Sequence, residues 1–407
     1  MKTNLLIILF LVIWGNSFSQ SLENLINIGF ENNPMIRATQ KRYQIAEETI
    51  NEANTIPNTE FSAGYFITTP ETRVGAQKAR FSVKQMFPWF GSIENRSEFS
   101  KSMAEIEYVN YTIAKRKLAF SISTIYYDLF EISKKELIIE EQLSLLQTYE
   151  QLALNSVQVG KASAVDVLKL QLRINKLKEQ IEILQTNKAE VSTRLNILLN
   201  RNPKMEIVVE DLVMFDELTV IDPATIELNP ELLKFDAAIS SIDRSELLNQ
   251  NESKPMFGLG IDYIPVAERT DMVLSDNGKD ILMPMVSLSI PIFNNKFNSV
   301  SIQNKIKKEE TLALKENRTN ELNTQLNTAL KNLEAAKISY DYQQQNLERA
   351  KNAETILLKT YETGKVDFNE LLNIQELQLN IEISTLAAIK KYYKNLAEIA
   401  YLIEIKS

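Results

Sequence analysis

The side chains that most often carry out catalysis or bind transition metals are missing from this sequence. Its 407 residues include no cysteine and no histidine. The lack of cysteine excludes disulfides, iron–sulfur clusters, thiolate zinc sites and cysteine nucleophiles. The lack of histidine removes the commonest general base and the commonest metal ligand. Carboxylates, lysines and serines remain but form no catalytic constellation, so we expect neither an enzyme nor a bound cofactor.

Methionine is the soft ligand that the sequence retains, because thioether sulfur binds soft metal ions such as Cu(I). The methionines of the mature chain include Met256, Met272, Met283 and Met285. Scattered core or loop methionines are the more ordinary interpretation of such a group. We therefore assign no metal ligands from the sequence.

The charge balance restricts the partners. The chain carries 45 basic and 53 acidic side chains, a formal net charge of −8. Proteins that wrap nucleic acid need an excess of positive charge, so this balance argues against a nucleic-acid partner.

Residues 1–19 have the pattern of a secretory signal peptide. Lys2 supplies a positive charge, residues 5–13 are an unbroken apolar run, and small residues at Ser17 and Ser19 suit cleavage before Gln20. An uncleaved membrane anchor is the alternative, but this run is too short to span a bilayer comfortably. No cysteine follows the cleavage site, so we expect an exported protein that is not a lipoprotein.

The remainder of the chain is an internal duplication, in which a second copy follows the first at a nearly constant offset. Asn-Pro at residues 33–34 recurs at 229–230, and Phe-Pro-Trp-Phe at 87–90 recurs as Ile-Pro-Ile-Phe at 290–293. Later in each copy the offset becomes fixed, so that residues 159–161 match 363–365. The same architecture is therefore encoded twice.

Each copy predicts a helix, two strands, a very long helix and a return helix. Apolar and polar residues alternate in the strand segments, as on a half-buried strand. The long segments carry apolar residues at coiled-coil spacing, such as Ile122 and Leu129 in one copy and Leu326 and Leu333 in the other. We predict a first repeat over 20–200 (strands 58–68 and 79–88, long helix 92–158), a linker over 201–228, and a second repeat over 229–407 (strands 256–264 and 283–291, long helix 295–362).

The predicted fold class is α+β and mostly helical. Four strands cannot close a barrel, and open sheet edges are not tolerated in lipid. Three chains would supply twelve strands for an outer-membrane barrel, and threefold symmetry would arrange twelve helices into a tube beneath it. Long heptad helices by themselves are typical of structural coiled coils. A periplasmic scaffold without a pore therefore remains an alternative.

The two segments at the helix reversals, residues 159–168 and 363–372, resemble the TolC-type outer membrane efflux family. The resemblance extends over nearly all of the mature chain. Residues 85–91 are similar to a junction found in relatives that work with metal-exporting pumps. The resemblance implies a homotrimeric passive duct, with a barrel in outer membrane lipid and a helical barrel in the periplasm. A periplasmic adaptor would connect it to an inner-membrane pump. A type I secretion duct for polypeptides shares this fold and remains open.

The resemblance also implies roles for particular residues at the turns and the membrane interface. The residues that fall on the adaptor-contacting turns are Val159, Gly160, Lys161, Thr363, Gly364 and Lys365. Aromatic residues enriched at membrane interfaces point to Phe87, Trp89 and Phe90 as an anchor. Polar loops near residues 69–77 and 265–280 would face the cell exterior.

A closed periplasmic gate is the last feature that the resemblance implies. The residues at the gate positions are Asp166, Tyr361, Glu370 and Asn373. Val366 stands where the best-known member of the family has an arginine, and the adjacent Lys365 lacks the bidentate fork of a guanidinium. Three copies of Glu370 around an axis would favour cations over anions.

Overall fold

The computed structural model describes residues 21–158, 163–212, 223–362 and 366–403. The predicted signal peptide lies outside this part of the chain. The predicted adaptor-contact residues also lie outside it, namely Val159, Gly160, Lys161, Thr363, Gly364 and Lys365.

The helices repeat with the offset seen in the sequence. The two long helices have 67 residues each and the two return helices have 35 residues each, and each pair starts at equivalent positions of the two copies. No helix in the described ranges has both the length and the apolar character needed to cross a membrane. The helices are α1 (Leu22–Asn32), α2 (Pro34–Ala53), α3 (Ser92–Gln158), α4 (Ala164–Leu198), α5 (Pro230–Glu252), α6 (Lys296–Glu362) and α7 (Phe368–Leu402), with a 3-10 turn at Pro223–Leu228.

Three of the four predicted strands depart from their expected bounds, and the second does so only by ending at Phe87, one residue early. The first strand is shorter than residues 58–68, because the chain leaves the sheet after Tyr65. The strand expected at 283–291 lies two residues earlier and ends before Pro291, which has no N–H to donate to a ladder. The strands are β1 (Glu60–Tyr65), β2 (Glu71–Thr72), β3 (Gly75–Ala76), β4 (Ala79–Phe87), β5 (Met256–Ile264) and β6 (Ile281–Ser289).

The repeated Asn-Pro dipeptides start equivalent helices. The Asn33 side chain accepts a hydrogen bond from the Met35 N–H at 2.9 Å, and the Asn229 side chain accepts one from the Glu231 N–H at 2.8 Å. The proline that follows each asparagine suits the first helical position, where no N–H partner is needed. The sequence pattern predicts no helix before Pro34, so α1 is an addition. It ends at Asn32, and the next residue, Asn33, has the extended backbone that is favoured before proline.

The chain divides into two compact units, and each unit combines parts of both repeats. The helical unit consists of the described residues within Met1–Arg37, Lys115–Ile226 and Asn323–Ser407. The sheet unit contains Ala38–Ala114 and Glu227–Leu322. Each unit therefore draws on both repeats.

The sheet unit is built around a four-stranded antiparallel sheet with the order β1-β4-β5-β6. Its central pair joins the two repeats, since β4 belongs to the first copy and β5 to the second. Val83 lies opposite Ile261, and Lys84 lies opposite Gly260. One face of the sheet therefore carries aromatic and branched side chains, and the other carries polar side chains, glycines and methionines.

The helical unit is held together by the predicted heptad positions. Ile122 and Leu129 are fully buried, and their counterparts Leu326 and Leu333 are only 2% and 1% exposed. A second set of buried residues packs the C-terminal half of α3 against α4 and α7. Its members are Ile139, Leu146, Tyr149, Ala153, Val167, Leu170, Ile174, Leu177, Leu184, Phe368, Leu371, Leu372 and Leu379.

Candidate functional site

The return helices α4 and α7 begin in the same way. The Ser163 hydroxyl accepts a hydrogen bond from the Val165 N–H at 3.2 Å, and the Asp367 carboxylate accepts one from the Asn369 N–H at 3.0 Å. These side chains cap the equivalent helix N-termini of the two copies. The Asn369 N–H also holds the pKa of the Asp367 carboxyl below its usual value, because the bond favours the charged form.

Asp166, the predicted gate aspartate, contacts the start of α7. The side-chain amide of Asn369 donates to its Oδ1 at 3.4 Å. Lys169, one turn further along α4, donates to Asn369 Oδ1 at 3.3 Å and lies 3.9 Å from Asp166 Oδ1. These three side chains connect the first turns of the two return helices.

Arg173 makes a second connection between these helices. Its Nη1 donates to the backbone carbonyl of Leu372 at 2.7 Å and lies 3.4 Å from Glu376 Oε2, and its Nη2 donates to Asn373 Oδ1 at 3.3 Å. Val366 stands where the resemblance implies an arginine, and a guanidinium is present at this end of the helices on α4. The sequence does not single out Arg173, because its counterpart in the second copy is Leu377.

Tyr361 has a different environment from the other gate candidates. Its ring lies 5.4 Å from that of Phe368, which is only 6% exposed and also contacts Tyr149 at 6.0 Å. Within the described residues, no hydrogen bond joins Tyr361 to Asp166. Glu370 is exposed in the first turn of α7. The structure therefore brings Asp166 and Asn373 into contacts between α4 and α7, but does not bring Tyr361 or Glu370 into them.

Equivalent Gln–Glu hydrogen bonds connect each return helix to its long helix. Gln171 donates to Glu150 at 2.8 Å, and Gln375 donates to Glu354 in the second copy. Gln378 adds a bond to Glu354 at 2.8 Å. The duplication therefore extends to side-chain contacts within the coiled coils.

The predicted anchor residues lie where β4 leads into α3. Trp89 stacks on Phe257 at a centroid distance of 5.5 Å, Phe87 is 38% exposed and Phe90 is 83% exposed. The equivalent junction of the second copy carries Phe293, which is fully exposed. Phe293 was not among the residues assigned from the sequence, although the recurrence of the motif at 290–293 could have identified it.

Comparison with family models and with curated proteins gives no match. The structure, by contrast, is similar to solved outer-membrane channels. It matches the channel OprN with a TM-score of 0.75 and 18% identity, covering 94% of this chain and 89% of that chain. It matches CusC, described as forming a transmembrane channel, with a TM-score of 0.77 and 14% identity, covering 95% and 92%.

The MtrE outer membrane channel of Neisseria gonorrhoeae, solved in its open state, matches with a TM-score of 0.73 and 16% identity. The match covers 94% of this chain and 88% of that one. The similarity therefore includes the helices and the sheet together. The chain has the fold of these outer-membrane channels, which confirms the duplicated, mostly helical α+β fold predicted from the sequence.

Proposed function

We propose that this chain is the outer-membrane exit duct of a tripartite efflux system. It would conduct substrates passively from a periplasmic adaptor and an inner-membrane pump to the exterior. The observation that carries this proposal is the shared fold with outer-membrane channels over nearly the whole chain. The lack of cysteine and histidine fits a conduit, which needs no catalytic group.

The two faces of the sheet support the membrane assignment. Phe61 and Tyr65 are each 77% exposed and Val286 is 79% exposed, all on the apolar face. Exposed apolar side chains that alternate with polar ones are the pattern of a strand between lipid and a polar interior. Since four strands leave two open edges, we propose that three chains close a twelve-stranded barrel.

The contacts between α4 and α7 support a gate at this end of the helical unit. Those at Asp166, Asn373 and Arg173 are polar and partly exposed, so they can break without opening the apolar core. We propose that an adaptor docks on the segments that contain Gly160 and Gly364, the residues that the family resemblance assigns to adaptor contact, and favours separation of the two helices. Replacing either glycine with valine should then abolish export while leaving the trimer intact, and loss of the trimer would contradict this role.

Conductance tests the duct directly. Purified protein should migrate as a trimer in detergent and should give discrete channel openings in planar bilayers. A trimer that never conducts, even after Arg173→Leu has removed contacts between α4 and α7, would favour the periplasmic scaffold and overturn the proposal.

The cargo class requires a test in cells. A deletion strain would be compared with its parent for growth in copper, silver, zinc or cobalt, and in dyes, detergents or antibiotics. Sensitivity confined to metals would indicate a heavy-metal efflux system, and broad sensitivity would indicate a multidrug duct. Unchanged growth with altered secreted proteins would favour the polypeptide secretion duct instead.

A further inference from the structure

A cavity of about 420 Å³ lies in the helical unit between α3, α6, α7 and the segment at Asp211 and Leu212. Its walls are mostly apolar and include Phe130 of α3, Leu347 of α6 and Leu386 of α7. Phe130 and Leu386 are only 2% and 5% exposed, so these walls belong to the packed core. A cavity of this size with a mostly apolar lining is typical of a site for a small organic molecule.

The lining carries more negative than positive charge. Three carboxylates line the cavity, those of Glu141, Asp211 and Glu382, against one ammonium group, that of Lys134. Lys134 forms an ion pair with Asp211, so these two charges compensate each other. Among the described residues, no side-chain hydrogen bond or ion pair holds the carboxylate of Glu141 or of Glu382. Two negative charges therefore remain beside the apolar walls.

The charges next to the cavity do not remove this excess. Lys351 of α6 attracts the half-buried Glu382 carboxylate but forms no ion pair with it, and Glu354 of the same helix repels it. Burial raises the pKa of the Glu382 carboxyl, and the charges of Glu141 and Glu354 raise it further. The rise despite Lys351 indicates that no cation lies close enough to compensate for the burial of this carboxylate.

We infer that the cavity is a binding site for an organic cation with an apolar body, such as an arylalkylammonium ion. The body would pack against Phe130, Leu347 and Leu386, and the ammonium group would donate to the Glu382 carboxylate, with Glu141 adding to the attraction. Hydrogen bonds between charged groups are stronger than neutral ones. An inorganic cation would gain nothing from the apolar walls, and an anion would meet two uncompensated carboxylates.

A cation bound here would contact both coiled coils of the helical unit. The cavity is lined by α3, which belongs to the first repeat, and by α6 and α7, which belong to the second. A ligand that binds the folded but not the unfolded chain stabilises the fold. Binding should therefore stabilise the contact between the two repeats. The site lies within the helical unit and does not require the chain to act as a duct.

Three compounds that share an apolar body and differ in head charge test the site. 4-Phenylbutylammonium, 4-phenylbutanol and 4-phenylbutyrate would each be titrated calorimetrically into the detergent-solubilised protein at pH 7.5. The heat of mixing each compound with detergent alone would be subtracted. We expect the ammonium ion to bind about tenfold more tightly than the alcohol, because a partly buried carboxylate attracts it. The butyrate should not bind.

Removing the carboxylates should remove this preference. Glu382→Gln nearly preserves side-chain volume and should weaken binding of the ammonium ion by about three- to tenfold. The Glu141→Gln/Glu382→Gln double variant should bind the ammonium ion no more tightly than the alcohol. Glu140→Gln is the matched control, because it removes a charge from an exposed position of α3 that does not line the cavity. It should bind the ammonium ion as the parent does.

Three results would overturn the site. Equal affinity of the parent for the ammonium ion and the alcohol would mean that the carboxylates attract nothing. Equal losses of affinity in Glu140→Gln and Glu382→Gln would mean that the net charge of the protein accounts for the binding. A parent protein that binds none of the three compounds would show that the cavity takes no such ligand.

Cysteine labelling locates the bound cation. The chain has no cysteine, so Leu137→Cys places a single thiol at a 50% exposed position that lines the cavity. Leu152→Cys places one at a 56% exposed position of the same helix outside it. Saturating 4-phenylbutylammonium should slow maleimide modification of residue 137 and leave that of residue 152 unchanged. Unchanged rates at both residues would place the cation elsewhere and overturn the site, and so would a thiol at residue 137 that never reacts.

Discussion

The α3–α4 and α6–α7 helix pairs share a backbone plan but differ in the side chains at their connected ends. Both return helices have 35 residues and begin at a side-chain cap, and both have the Gln–Glu bond to the long helix. Duplication has thus preserved the features that each coiled coil needs for its own stability. The differences lie in the residues through which α4 and α7 contact each other.

The differences are mainly of charge. Lys169 and Arg173 of α4 donate to Asn369, Asn373 and the Leu372 carbonyl of α7. Two identical helices would place like charges opposite one another, whereas two diverged helices can be complementary. The α4 residues Lys169, Arg173, Lys178 and Arg194 have the α7 counterparts Asn373, Leu377, Glu382 and Glu398.

The largest loss of stability should come from Phe368→Ala. This substitution gives α7 the residue that α4 has at the equivalent position, Ala164. Phe368 is 6% exposed and packs against Tyr149 and Tyr361. Phe368→Ala should lower the free energy of unfolding by about 3–5 kcal/mol, the usual cost of emptying a buried aromatic site. Urea denaturation followed by circular dichroism would measure it.

The reciprocal variant, Ala164→Phe, is the control for this comparison. Ala164 is exposed, so a larger side chain there should change stability by less than about 0.5 kcal/mol. Equal effects of the two variants would mean that the helix pairs do not differ in packing at this position.

The second-largest loss of stability should come from a variant that removes part of the charge difference between α4 and α7. Arg173→Leu gives α4 the residue that α7 has at Leu377 and removes the contacts with Leu372, Asn373 and Glu376. Hydrogen bonds to charged groups contribute more than neutral ones, but these groups are partly exposed, so we expect a loss of about 1 kcal/mol. Hydrogen exchange should become faster at the start of α7, and channels in bilayers should open more often. Lys176→Leu, at an exposed position of the same helix, should change neither measurement.

The strands and long helices could be predicted from the sequence, because they follow a periodic pattern of apolar residues. Two-residue alternation indicated the strands, and heptad spacing indicated the long helices α3 and α6, because burial of one face leaves a repeating pattern. The Arg173 contacts could not be predicted in this way. They join segments of different repeats that are distant in the chain, and Arg173 occupies a position where the other copy has leucine, so comparison of the repeats concealed it.

The same limit applies to the pairing of β4 with β5. Met86 belongs to the first repeat and Met256 to the second, and only the β4–β5 register brings their strands together. Predicting that register would have required knowing that β4 pairs with a strand of the other repeat. The family resemblance suggested roles for residues but could not give contacts specific to this chain.

A smaller difference separates the two Gln–Glu bonds. Gln171→Leu removes the Gln171 donor to Glu150, whereas Gln375→Leu leaves Glu354 with the amide of Gln378 at 2.8 Å. We expect Gln171→Leu to cost about 1 kcal/mol of unfolding free energy and Gln375→Leu to cost less. Chemical denaturation would measure both. Adding Gln378→Leu to Gln375→Leu should remove the difference, and a larger cost for Gln375→Leu alone would contradict the argument.

The smallest expected effect is the pH dependence of stability that Glu382 causes. This residue stands where α4 has Lys178. Burial raises the pKa of the Glu382 carboxyl, and the charges of Glu141 and Glu354 raise it further, while Lys351 opposes them. The folded chain therefore binds this proton more tightly than the unfolded chain. Stability is reduced above the folded pKa and recovers as the pH falls through it toward the unfolded value of about 4.5. Glu382→Gln should raise the melting temperature at pH 7.5 and reduce its change between pH 7.5 and pH 5. Glu370→Gln, at an exposed position of the same helix, is the control. If both variants shift the melting temperature equally, the effect comes from net charge. Burial of the Glu382 carboxyl would then not be a feature in which α7 differs from α4.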